Sequence, residues 1–169
     1  MSLAQSLLPE FDHEMATTRR ALERVPMDKT SWRPHAKSYT LGELANHLAQ
    51  IPGWTEPTLT RDSLDMSPEA GDFAPPPMAG SREALLAIFD ENVAEARNAL
   101  AATSDEAFFQ PWTLKTGDTE HFTMPRAAVF RSFILSHAIH HRAQLGVYLR
   151  LNDVPVPSSY GPTADEEGL

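Results

Sequence analysis

From Phe130 to about Leu151, apolar side chains return every three or four residues, through Phe133, Ile134, Leu145 and Tyr148. Two histidines, His137 and His141, lie on the same stripe. This spacing predicts one long helix with a single inward face. Side chains four residues apart stack one turn above the other, so both imidazoles point at whatever the helix packs against. A buried histidine must find a partner. Two answers are open for the pair: hydrogen bonds to polar groups in the core, or one shared metal ion. The metalloprotease helix uses the same i, i+4 spacing, but its catalytic Glu is missing between these two histidines.

The rest of the chain supplies partners for that helix. Leu3, Leu7, Leu8, Phe11, Met15, Leu22 and Val25 form a helical stripe of about six turns, which Pro26 ends. Thr40-Leu41-Gly42-Glu43 has the form of a capping box, and Leu41, Leu44, Ala45, Leu48 and Ile51 continue from it as a second helix. Pro52-Gly53 should bend or end that helix, with Trp54 and Leu59 extending helical structure beyond. Residues 61–80 read as a loop, with extended backbone at Pro75-Pro76-Pro77. Ser81 is a candidate N-cap for a third helix carrying Leu85, Leu86, Ile88, Phe89, Val93, Ala96 and Leu100. Trp112–Lys115 and His121–Met124 flank the turn Thr116-Gly117-Asp118-Thr119 and suggest a short hairpin. Pro125 suits the first turn of the fourth helix. Asn152–Leu169 should run irregularly over the surface of the bundle. The expected fold is all-α: a four-helix bundle, one domain over residues 1–169, with a small hairpin before the last helix.

Composition narrows the function. A chain of 169 residues with a net charge of −9 has little to offer nucleic acid or an anionic membrane surface. There is no cysteine, which excludes disulfides, thiolate metal sites and a cysteine nucleophile. A metal would need nitrogen or oxygen ligands. No stretch has the length of a membrane span, and the N-terminus lacks the pattern of a signal peptide. The expected compartment is the cytoplasm.

Among the seven histidines, His47 is the candidate third ligand. It follows Leu44 by three residues and precedes Ile51 by four, at the edge of the second helix's apolar stripe. Two ligands from one helix and one from a packed neighbour is a common way to build a metal site in a bundle. Three imidazoles suit Zn²⁺ or Ni²⁺, and also Fe²⁺, and leave coordination positions for chemistry. His13 shares a face with Glu10, Thr17 and Arg20 and reads as surface. His140 sits about 60° round the helix from His137, at the surface or in a supporting position. His35 and His121 fall in a loop and in the hairpin. Trp54, seven residues past His47, is the tryptophan best placed to line a pocket.

Four segments, Trp32–Ser38, Thr40–Ala49, His137–Leu145 and Val154–Pro162, together resemble the DinB family of small metalloproteins. The resemblance implies a bundle with one long crossover, a divalent metal held by His47, His137 and His141, and a homodimer. It also implies a relation to enzymes that join low-molecular-weight thiols to electrophiles. The expected function is therefore metal-dependent thiol S-transfer in detoxification or stress. The partners would be a small-molecule thiol and an electrophile, with no nucleic acid and no membrane. Arg142 is a candidate for holding a carboxylate of that thiol or for a surface or interface salt bridge, and Tyr160 with the tail for closing over the pocket or for a packing strap. The alternatives are metal-dependent hydrolysis and a stress-associated metal-binding dimer without catalysis.

Overall fold

The computed structural model describes residues 2–71 and 77–167; Pro75 and Pro76 of the triple-proline run lie outside them. Helix α1 spans Leu3–Glu23 and begins in a capping box between Ser2 and Gln5. The loop 24–40 leads to α2, Leu41–Gln50, where the expected box forms: Thr40 Oγ1 accepts from the Glu43 amide at 3.1 Å, and the Thr40 amide donates to Glu43 Oε2 at 2.7 Å. A 3₁₀ turn over Ile51–Trp54 and a short α3, Thr55–Thr60, carry the chain past Pro52-Gly53. A Cβ at Gly53 would come within 2.8 Å of the Asn92 side chain, which bonds the Ala49 carbonyl and would have to shift.

Strand β1 (Ser63–Asp65) precedes α4 (Arg82–Ala102), which Ser81 caps through the Ala84 amide. A one-turn α5 (Asp105–Phe108) leads into the hairpin β2 (Pro111–Thr116) and β3 (Thr119–Pro125). The last helical segment has three parts: α6 (Arg126–Val129), a π-helical stretch over Phe130–Ser136, and α7 (His137–Leu151). It ends in paired bonds from the Asp153 amide to the Arg150 carbonyl and from the Val154 amide to the Leu149 carbonyl. Asp153 takes φ 58° to make them, the left-handed closure usually given to glycine.

Each of α1 and α2 packs against both α4 and α7, so α1 and α2 lie diagonally across the core. Phe11, Leu22, Leu41, Leu44, Leu48, Leu100, Phe130, Ile134 and Leu145 are fully buried between them. The all-α expectation needs correction. The fold is mostly helical, with a three-stranded mixed sheet in the order β1-β2-β3. The stretch read as a loop over residues 61–80 contains β1, paired parallel to β2 with Leu64 opposite Leu114. Three residues are too few to show an alternation. The strand exists because Leu64 joins Trp112, Leu114 and Val129 in a second apolar cluster. Asp65 Oδ1 accepts from the Gly117 and Ser67 amides, each at 2.9 Å, tying β1 to the hairpin turn. Those bonds, the Gly117 bond first, hold the Asp65 carboxyl at about 2.

Val154–Glu167 has no regular structure and lies along α1 and α7, as expected of the tail. Arg20 donates to the Ser158 carbonyl at 2.9 Å, and Arg24 pairs with Glu166. No helix among the described residues is long and apolar enough to cross a membrane.

Candidate metal centre

The capping box sets the start of α2, and three turns of buried leucine and isoleucine then fix its rotation. His47 falls at the edge of that stripe, half-buried and facing α7. On the opposite side, the π-helical stretch ends at Ser136, so His137 opens α7 and His141 follows one turn later. The wide π turn is a frequent device at functional sites. Its apolar residues Phe130, Phe133 and Ile134 keep a spacing that a regular helix would also show, so the sequence does not reveal it.

The three imidazoles converge. His47 Nε2 lies 3.3 Å from His137 Nε2, and His141 Nε2 lies 2.8 Å from the same atom. Ligating nitrogens of all three fall within 4.8 Å of one another. The other ring nitrogens of His137 and His141 are held from behind. His141 Nδ1 donates to Gln144 Oε1 at 2.7 Å, and His137 Nδ1 donates to the Phe133 carbonyl at 3.3 Å. A carbonyl oxygen only accepts, so these bonds place the protons on Nδ1. The Nε2 lone pairs of His137 and His141 therefore point at one another, an arrangement that a shared cation relieves.

Burial keeps the site in the ligating form. It pushes His47 down to about 4, helped by the nearby His141 and His137. His137 is lowered by burial first and then by His141, against the Phe133 bond. His141 is lowered by burial, with the Gln144 bond opposing. Neutral imidazole is the form that binds metal. The donor set and its supporting bonds fit a divalent ion: three borderline nitrogen ligands, and no carboxylate or thiolate in the cluster among the described residues.

Aromatic rings surround the triad. Trp54 sits 5.6 Å from the His47 ring and 5.5 Å from the His137 ring, as its place after α2 suggested, and stacks on Phe133 at 5.2 Å. Tyr39, which the sequence reading passed over, lies 5.8 Å from His47 and 6.4 Å from His141. Gln144 was visible beside His140 in the helix, but only its bond to His141 gives it a role. His140 is exposed, its ring 4.9 Å from that of His141. His13, His35 and His121 are exposed and outside the cluster; the first was expected at the surface, and the last bonds the Thr116 hydroxyl.

For Arg142 and Tyr160 the structure shows an ion pair and a packed tail in place of roles at the triad. Arg142 does not face the triad. It is buried on another side of α7, pairing with Glu14 at 2.7 Å and donating to Thr18 Oγ1 and to Tyr160 Oη. Arg142 follows His141 by one residue, about 100° round the helix, which turns its guanidinium toward α1, and the carboxylate there was not legible from the α7 sequence. Tyr160 does not cover the histidines either. Its hydroxyl donates to the Glu14 carboxylate at 2.8 Å, and the tail encloses a separate cavity of about 490 Å³ lined by Thr17, Ala21, Ala143, Gly146 and Val156.

The sequence matches the family model described as DinB superfamily over residues 10–145. The chain belongs to the DinB superfamily. Its fold is similar to a DinB-like protein from Bacillus cereus, with a TM-score of 0.69, 20% identity, and coverage of 92% of this chain and 97% of that one. A DinB-like protein from Bacillus subtilis is similar too, with a TM-score of 0.68, 16% identity, and coverage of 95% and 98%. No protein with a curated description matches the chain.

Proposed function

We propose that His47, His137 and His141 hold a divalent metal ion, zinc or nickel before iron, and that the protein transfers a small-molecule thiol to an electrophile. The observation that carries the reading is the convergence of three imidazoles, two of which, His137 and His141, have their Nδ1 atoms engaged from behind. A metal held there supplies Lewis acidity, which favours the thiolate form of a thiol near neutral pH.

The chain's own residues do the rest. Gln144 and the Phe133 carbonyl orient His141 and His137. Trp54 and Phe133 form an apolar wall that keeps water from one side of the triad. The protein has no sulfhydryl of its own, so the sulfur nucleophile must come from a cosubstrate. Among the described residues no carboxylate joins the triad to serve as a general base for water, which favours transfer over hydrolysis. The reducing cytoplasm, where low-molecular-weight thiols are held reduced, is the matching compartment. We extend the proposal to a homodimer, supported by Val147 and Leu151, two apolar side chains more than half exposed on α7.

Zinc- and nickel-loaded protein should be tested with glutathione, bacillithiol and mycothiol against a chloronitrobenzene electrophile, with aryl esters in parallel. Metal-dependent thiol conjugation, lost in His137→Ala, is the expected result. Ester turnover without added thiol would replace transfer by hydrolysis. Fully loaded protein inert in both assays would leave a metal-binding protein without this chemistry.

A further inference from the structure

We infer that Tyr39 and Trp54 act as an aromatic clamp at the triad, selecting an anionic metal-binding group that carries a flat aromatic ring. This rests on the reading that the three histidines hold a metal. The charge follows from the donor set. Imidazoles bind as neutral ligands, so a divalent ion among three of them keeps both its charges, and no carboxylate joins the cluster among the described residues. An anionic ligand is what such a centre attracts most.

The ring follows from the walls. Tyr39 and Trp54 flank different edges of the triad: Tyr39 lies near His47 and His141, and Trp54 near His47 and His137. Both are held in place by neighbours. The Tyr39 carbonyl accepts from Tyr148 Oη at 3.2 Å, and the next residue, Thr40, is locked in the capping box. Trp54 ends the 3₁₀ turn and stacks on Phe133 with an interplanar angle of 25°. Tyr39 nevertheless stays 50% exposed, a costly place for a large ring unless something covers its face. The charged side chain next in sequence to the triad, Arg142, is committed to Glu14, Thr18 and Tyr160. Ring surface therefore flanks the metal ligands on two edges, which favours a planar apolar group over a sugar or a polyanion. Rings that stack in such a site gain on the order of 1 kcal/mol each, so two walls give a preference of about tenfold or more.

The test uses Co²⁺-loaded full-length protein and two ligands with the same metal-binding group, benzohydroxamate and acetohydroxamate, followed by the visible spectrum of the cobalt. The expected result is benzohydroxamate binding about tenfold or more tighter in the wild type. Tyr39→Ala should lower that ratio at least threefold, and Tyr39→Phe should keep it. Trp54→Leu, checked for fold by circular dichroism, should lower it as well. Equal affinity for the two ligands in cobalt-loaded wild type overturns the clamp and leaves the metal site standing. A ratio unchanged in both Tyr39→Ala and Trp54→Leu also overturns it. Cobalt that fails to bind the wild type, or binds equally well in His137→Ala, overturns the metal site and the clamp together.

Discussion

Single side chains decide how well the triad is built. Gln144 is the clearest case: its carbonyl fixes which nitrogen of His141 is protonated, and His141 is the most buried of the three. Removing such an outer partner commonly weakens metal binding by roughly 10- to 100-fold. Gln144→Ala should show a loss of that size in a competition titration with a metal chelator, with the helical content unchanged. An affinity equal to wild type would mean that His141 needs no orientation. The Glu14–Arg142–Tyr160 group is a different kind of feature. Its charges are nearly fully buried and mutually satisfied, with the Arg142 guanidinium also 5.3 Å from the Tyr160 ring centroid. Arg142→Ala leaves the Glu14 carboxylate uncompensated and should cost about 3–5 kcal/mol in chemical denaturation. The Tyr160 hydroxyl is raised above its usual range, chiefly by burial and next by its bond to Glu14. Tyr160→Phe should cost less, about 2 kcal/mol, because it loses the bond donated to Glu14 and the bond accepted from Arg142 but leaves the ion pair itself in place.

Helix ends and the tail carry their own consequences. Asp153 closes α7 in a left-handed conformation that a side chain disfavours. Asp153→Gly should raise stability by about 1 kcal/mol in thermal or urea unfolding, and a loss of stability would show that the Asp side chain has a compensating role. The tail is pinned by carboxylates. Asp165 pairs with Arg150 and accepts the Val156 amide at 2.8 Å, while Glu166 accepts the Ser158 amide at 2.8 Å. Asp165 is held below the usual carboxylate range first by Arg150, and Glu166 first by the Ser158 amide. Folded values that are lowered stabilise the pinned tail above the unfolded values of about 4. That contribution is lost as the pH falls through the lower folded values. Hydrogen exchange at the Val156 and Ser158 amides, corrected for intrinsic rate, should lose protection in that acid window before the core helices do. Equal protection at pH 7 and at acid pH would contradict the pinning.

The same elements show what a sequence can display. The Thr40 box, the Ser81 cap and the hairpin turn were legible because each is a local contact over three or four residues. The His47–His137–His141 set was legible because helical periodicity turns all three residues toward the core. Strand β1 was hidden because its partner β2 lies about fifty residues away and only Leu64 signals its burial. The partner of Arg142 was hidden because it stands on α1, 128 residues earlier. The π turn was hidden because its apolar spacing also fits an ordinary helix.

For the molecule as a whole, α2 and α7 face each other across one core and each contributes to the same cluster of nitrogens. Metal binding should therefore couple to the packing of these two helices. Zinc present at 100 times its dissociation constant should raise the unfolding free energy by about 2.7 kcal/mol, and His47→Ala should abolish that increment. Light scattering at micromolar concentration should give the mass of two 18.7 kDa chains; a monomer mass would contradict the homodimer. The most direct test of the metal centre is X-ray absorption on untagged, zinc-loaded protein. The structure leads to one zinc per chain with three imidazole nitrogens at about 2.0–2.1 Å, and to loss of that signature in His47→Ala, His137→Ala and His141→Ala. Wild-type protein that takes up no metal, or three variants that keep the wild-type spectrum, would contradict it.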